Sequence, residues 1–95
     1  MSIRRLKMSD ETAELVRTLH PDLKRKIKAA LQAILNDPPS GKGLKDELEE
    51  LQSFKVGKFR VVYKAATDKG IIEIVAIGPR KIIYEETLRL LQREK

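Results

Sequence analysis

The apolar residues of this chain change period part way along. From Ser9 to Asn36 they recur every three or four positions, and from Phe54 to Ile77 they alternate or run together. The first spacing is that of helices and the second that of strands. Ile3 to Met8 reads as a short opening strand. Ser9 then offers an N-cap, and Asp10 and Glu11 suit the positive end of a helix. Ala13, Val16 and Leu19, with Leu15 beside them, make that helix amphipathic until His20-Pro21 interrupts it. Pro21 fits the first turn of a second helix. There Leu23, Ile27, Leu31, Ile34 and Leu35 share a side, while Lys24, Arg25, Lys26 and Lys28 fall largely elsewhere. "NDPPSGKG" at 36–43 stops it.

Leu44, Leu48 and Leu51 follow, either as a helical turn or as an irregular segment whose leucines cover a sheet edge. Phe54 and Val56 begin the strands, and Gly57 permits a tight turn. In the next strand Phe59, Val61 and Tyr63 share one face, and Lys58, Arg60, Val62 and Lys64 the other. "IIEIVAI" at 71–77 is nearly all apolar, the pattern of a strand covered on both faces, and Gly78-Pro79 ends it. A last helix carries Leu88 and Leu91 among Glu85, Glu86, Arg89 and Arg93. The predicted order is β-α-α-β-β-β-α, an α+β fold. Its two N-terminal helices pack on a small, mostly antiparallel twisted sheet and leave the other face open. No repeat or linker divides residues 1–95, so one domain is expected.

Composition narrows the class. Apolar content is 41% and charged content 36%, too apolar for a disordered chain and too charged for a membrane one. No apolar run nears the roughly 20 residues of a membrane span. "MSIRRLKMSD" has two arginines but no apolar stretch behind them, so no signal peptide is read and the cytoplasm is expected. The absence of cysteine excludes disulfides, thiolate nucleophiles and cysteine-based zinc sites.

The net charge of +6 points to phosphate or an acidic protein as partner, or simply to solubility. Its distribution says more. Between Gln52 and Lys81, seven cations (Lys55, Lys58, Arg60, Lys64, Lys69, Arg80 and Lys81) stand against Asp68 and Glu73, a local excess of +5. "KDELEE" at 45–50 is net negative. Arg60 either faces a groove or pairs with Glu73, the only acid on a nearby strand. Tyr84 either joins the same surface or anchors the last helix. His20, the single histidine, reads as a helix-terminus residue. There is no paired-carboxylate, P-loop, GxGxxG or zinc signature, so no metal or cofactor is expected. An enzyme built from this set works with Lys, Arg and Tyr, the tools for stabilising a charged phosphoryl transition state.

Leu44 to Tyr63 follows the pattern L-x-x-x-L-x-x-L-x-S-[FY]-[KR]-V-G-x-[FY]-R-[IV]-V-Y, and Gly78, Arg80 and Tyr84 follow an apolar strand. With these two elements the chain resembles the RelE/ParE superfamily of type II toxins over nearly its whole length. The resemblance implies a cognate antitoxin, whose complex with the toxin binds operator DNA through the antitoxin. In the RelE-like branch it further implies a ribosome-dependent mRNA endoribonuclease that inhibits translation without a metal. There the ribose 2′-OH attacks the adjacent phosphate and leaves a 2′,3′-cyclic phosphate and a 5′-OH. Carried onto this sequence, the catalytic set is Lys55, Arg60, Arg80 and Tyr84, with Lys45, Lys58, Lys64 and Lys81 as RNA-binding cations. Two positions differ from what other members carry. Pro79 stands where many members have histidine, and Ser53 where some have a first strand lysine, which leaves the general base open. Two other functions fit the fold: a ParE-like inhibitor of DNA gyrase, and a non-catalytic member that only binds an antitoxin.

Overall fold

The computed structural model describes residues 5–44, 50–66 and 70–93. In chain order its elements are β1 (Arg5–Met8), α1 (Asp10–Thr18), α2 (Pro21–Asn36), a 3₁₀ turn (Pro38–Ser40), β2 (Lys42–Gly43), β3 (Gln52–Val56), β4 (Phe59–Ala66), β5 (Ile71–Pro79) and α3 (Ile83–Arg93). The five strands form one sheet in the order β1-β5-β4-β3-β2. β1 runs parallel to β5, and the other neighbours are antiparallel. This is the α+β architecture expected from the sequence, with the two-residue β2 as an addition. Among the described residues no helix is long and apolar enough to cross a membrane.

Local chemistry sets the helix ends. Ser9 caps α1 by accepting the Thr12 N–H at 3.1 Å. His20 does the same for α2: its Nδ1 accepts the Asp22 N–H at 3.2 Å, with Pro21 in the first turn. α1 buries Thr12 and Val16, and α2 buries Ile27, Ala30, Leu31 and Ile34. Leu15, expected near the buried stripe, lies to one side of it and is 38% exposed.

Against these helices the sheet presents Val56, Val61, Tyr63, Ile72, Ile74 and Ile77. The alternation read along β4 therefore holds. The opposite face is not open as expected. There α3 lays Ile83, Tyr84 and Leu88 over Leu51, Val62, Val75 and Ala76, joined by Leu44. The physical reason lies in β5. Val62 pairs with Ala76 but Tyr63 pairs with Ile74, so Val75 is an extra residue without a partner on β4. Such a bulge reverses the in–out alternation beyond it. Ile72 and Ile74 face α1 and α2, Val75 and Ala76 turn to α3, and Ile77 returns to the first core. Leu44 and Leu51 behave as the covering leucines of the second alternative above; Leu48 lies outside the described residues.

Tyr63 fastens the loop after α2 to the sheet. Fully buried, it donates its hydroxyl hydrogen to the Pro38 carbonyl and accepts the Gly41 N–H at 2.8 Å. A side chain at position 41 would land on that hydroxyl, so glycine is required there. Burial raises the Tyr63 pKa above its ordinary value of 10.0, outweighing the hydrogen bonds that lower it. Replacing Tyr63 by Phe leaves the two backbone groups without this partner. We expect a loss of about 1–3 kcal/mol in urea unfolding at neutral pH. Above pH ~10 an unfolded tyrosine releases its proton while the folded one resists, so folding stability falls as pH rises through that range. Tyr63→Phe should show a shallower alkaline loss than wild type. Equal slopes would show that the phenol does not titrate differently in the two states.

Candidate functional site

The β3–β4 hairpin fixes the geometry of the cationic face. Its turn holds only Gly57 and Lys58, because Val56 and Phe59 pair directly. Gly57 adopts φ 59°, which its missing side chain allows at the first turn position. A turn this short leaves no slack in register. Lys55 sits opposite Arg60, and Ser53 opposite Val62. Directly opposed residues share a face. Phe54 and Val61 pack with α1 and α2, so Lys55 and Arg60 lie on the α3 side. Arg60 is in turn opposite Gly78 on β5. Arg80 leaves β5 beside the hairpin, its backbone N–H donating to the Lys58 carbonyl at 2.8 Å. Lys55, Lys58, Arg60 and Arg80 thus gather at one end of the sheet, with Lys81 next along the chain. Lys58, expected on the strand face with Arg60, lies in the turn instead.

The Arg60–Glu73 pair that the sequence leaves open does not form. The Arg60 guanidinium folds back onto its own turn, where Nη1 donates to the carbonyls of Phe59 at 3.1 Å and Gly57 at 3.3 Å. Glu73 stands opposite Lys64. Lys64 is bonded to Glu50 at 3.2 Å, so this cation is compensated. Among the described residues, Lys55, Lys58, Arg60, Arg80 and Lys81 enter no ion pair. Two unit charges ~6 Å apart repel by roughly 0.7 kcal/mol even in water. Cations held together without acids therefore raise the local potential for an anion. Lys45 and Lys69 lie outside the described residues.

α3 brings the hydroxyl chemistry. Tyr84 is half-buried against the second core, so its ring does anchor the last helix. Its hydroxyl nevertheless reaches Ser53 Oγ, 3.4 Å away on β3. Ser53 lies two residues from Lys55 on the same strand face, so the phenol stands beside the cationic end. The close approach of α3 depends on Gly78, where a methyl group would meet Ile83 Cδ1 at 3.1 Å. Of the leucines expected on α3, Leu88 packs in this second core, and the side chain of Leu91 lies outside the described residues. The structure adds Ile83, 1% exposed, and a buried Thr87 whose hydroxyl bonds the Ile83 carbonyl at 2.7 Å. Ile82 and Ile83 are indistinguishable by pattern; only the turn after β5 decides which one goes in. β2 also went unread, since two residues show no alternation. Its register sets Lys42 opposite Ser53.

A family model described as the ParE toxin of type II toxin–antitoxin systems, parDE, matches residues 6–84. No curated protein matches the chain. A chain of the toxin–antitoxin complex RelBE2 from Mycobacterium tuberculosis superposes with a TM-score of 0.69 at 19% identity, covering 81% of this chain and 98% of that one. The archaeal RelE–RelB complex from Pyrococcus horikoshii OT3 gives 0.66 at 18% identity, over 82% and 96%. The isolated E. coli RelE toxin gives 0.67 at 17%, over 93% and 98%. At such identities the likeness to these structures is one of fold.

The seating of α3 is directly testable. Ile83→Ala removes a fully buried side chain and should destabilise the protein by about 2–5 kcal/mol. Ile82→Ala, at a position 47% exposed, should change the urea midpoint little. Equal effects from the two would mean that α3 is not held on the sheet through Ile83.

Proposed function

The chain belongs to the ParE toxin family of type II toxin–antitoxin systems, in the RelE/ParE superfamily, and from that premise we propose that it is a toxin that cleaves messenger RNA on the ribosome. One observation carries this reading: uncompensated Lys55, Arg60 and Arg80 at one end of a sheet face, with the Tyr84 hydroxyl beside them. In the proposed reaction the 2′-oxygen of a ribose attacks the adjacent phosphorus and gives up its proton. The bond from phosphorus to the 5′-oxygen breaks, and that oxygen takes up a proton, leaving a 2′,3′-cyclic phosphate and a 5′-OH. Negative charge on the phosphate oxygens peaks between these events. Arg80 and Arg60 are suited to it because a guanidinium can contact two such oxygens at once. Arg60 is available for this only by leaving the turn carbonyls it now holds, and those carbonyls can turn to water. Lys55 adds charge to the same spot. The Tyr84 hydroxyl, able to accept and donate, is placed to move the 2′-OH proton, and the base that finally receives it is Tyr84 or a lysine.

We assign the chain a cognate antitoxin as partner, with operator DNA reached through it, and the cytoplasm as its place of action. Support for a protein partner comes from an apolar cleft of about 430 Å³ between α1 and α3, which Leu15, Leu19, Phe59 and Ile82 help to line. An antitoxin segment seated there would lie close to the turn that carries Arg80. Co-expression with it should restore growth, and no complex and no rescue would refute the pairing.

A second reading, a ParE-like inhibitor of DNA gyrase on the same fold, is kept because the matching family is described as the ParE toxin. The two are separated by mapping RNA ends after induction and by assaying gyrase supercoiling with the purified toxin. New ends within translated messages support the nuclease. Unchanged messages with blocked supercoiling would replace it by the second reading. For the nuclease, Arg80→Ala should slow single-turnover cleavage of ribosome-bound message by about 100- to 1000-fold, and Arg60→Ala similarly. Tyr84→Phe keeps the ring and deletes the hydroxyl. It should slow cleavage well beyond a few-fold with unfolding unchanged; normal cleavage would reduce Tyr84 to an anchor. Lys58→Ala should weaken association and make it less dependent on salt, whereas Lys64→Ala, already paired with Glu50, should do so less.

A further inference from the structure

Two residues outside the set named so far stand beside Tyr84. β2 pairs antiparallel with β3, placing Lys42 opposite Ser53 and Gly43 opposite Gln52. Directly opposed residues in such a pair have Cα atoms only about 4.5–5.5 Å apart and point to one face. That face is identified independently. Leu44, two residues beyond Lys42, packs with Val62, Ala76 and Ile83 in the core under α3. Lys42 therefore emerges on the α3 side, next to the point where Ser53 Oγ and the Tyr84 hydroxyl meet at 3.4 Å. It is exposed and, among the described residues, enters no ion pair. Ser53 is buried under Tyr84, 7% exposed, with the phenol as its hydrogen-bond partner. A serine facing the apolar Val62 and Ala76 has no packing reason to carry a hydroxyl. What the hydroxyl does there is hold Tyr84.

We propose that Lys42 and Ser53 complete the RNA site, Lys42 as a contact to a phosphodiester of the substrate and Ser53 as a positioning residue that orients the Tyr84 hydroxyl. This rests on the ribonuclease reading above. On the strand face the site then has two rows. Lys55, Arg60 and the neighbouring Arg80 make one, and Lys42 with the Ser53–Tyr84 pair makes the next, one side-chain repeat along β3 and so about 7 Å away. Successive phosphates of a single strand lie about that far apart, so a strand crossing the face meets a cation at each of two phosphates, with the phenol in the second row. Lys42 bears on binding. Ser53 bears on the chemical step, through Tyr84 alone.

The test measures cleavage of message on programmed ribosomes by full-length toxin, with kcat and KM separated. Lys42→Gln should raise KM roughly tenfold, leave kcat within a few-fold, and make the logarithmic salt dependence of binding shallower by about 0.7, the value for one phosphate contact on a single strand. Lys42→Arg should restore both. Lys28→Gln, which removes an exposed cation from α2, should change neither. Ser53→Ala deletes one oxygen. It should lower kcat roughly five- to tenfold with KM unchanged. In a Tyr84→Phe background the same substitution should have no further effect, which a merely structural role would not produce. The inference is overturned if Lys42→Gln behaves as Lys28→Gln does, or if Ser53→Ala slows the Tyr84→Phe protein as much as wild type. Wild-type toxin that leaves programmed message intact would overturn the ribonuclease reading itself, and this inference with it. Cleavage by wild type with silent Lys42 and Ser53 variants would overturn this inference alone.

Discussion

One extra residue in β5 governs this molecule. A central strand in so small a sheet has to serve two cores, and strict alternation gives it only one apolar face along its whole length. Val75, unpaired with β4, breaks the alternation where the change is needed. Before it, the strand gives Ile72 and Ile74 to α1 and α2 while Glu73 points away. After it, Ala76 and Gly78 face α3 and Ile77 serves the first core. Without the bulge Ile77 would be turned toward α3 and Ala76 toward α2. The first core would then lose a large side chain, and the second would gain one where Ile83 already packs close.

The candidate site inherits that arrangement. Gly78 faces α3 because of the bulge, and its lack of a side chain lets Ile83 come close. Ile83 begins α3, so its seating fixes where Tyr84 lies, and Tyr84 then reaches Ser53. The same glycine stands opposite Arg60 and leaves room beside that side chain. One backbone irregularity thus sets the helix, the phenol and the space around an arginine. The geometry of the candidate site thus rests on backbone packing as well as on charge.

What the sequence made legible follows from the length of each signal. β4 is long enough for alternation to separate Val61 and Tyr63 from Arg60 and Lys64, and the helix caps at Ser9 and His20-Pro21 are local. The bulge was not legible, because "IIEIVAI" is apolar on both sides of it and offers no register mark. The covering of the second face followed from the bulge and was missed with it. Ile83 was hidden beside Ile82. Lys42 sat in a segment of glycine and proline that reads as a helix stop, and only pairing with β3 gives it a direction. Lys55, Arg60, Arg80 and Tyr84 came from the family pattern. The structure gathers Lys55, Arg60 and Arg80 at one end of the sheet with Tyr84 on the helix that covers it, whereas Lys64, named with them as an RNA contact, is set apart by Glu50.

That separation explains how a face holding Glu50 and Glu73 can still keep an uncompensated cationic end. Arg60 and Lys64 lie four residues apart on one strand, about 14 Å at a strand's rise. The Debye length at physiological ionic strength is about 8 Å. An acid bonded to Lys64 therefore does little to the potential at Arg60, and the apolar contact of Val62 with α3 lies between them. The protein neutralises one end of the face, where charge serves the fold, and leaves the other end uncompensated. Net charge, averaged over the whole chain, conceals this division. The strand register exposes it, since it decides which cation meets an acid and which meets solvent.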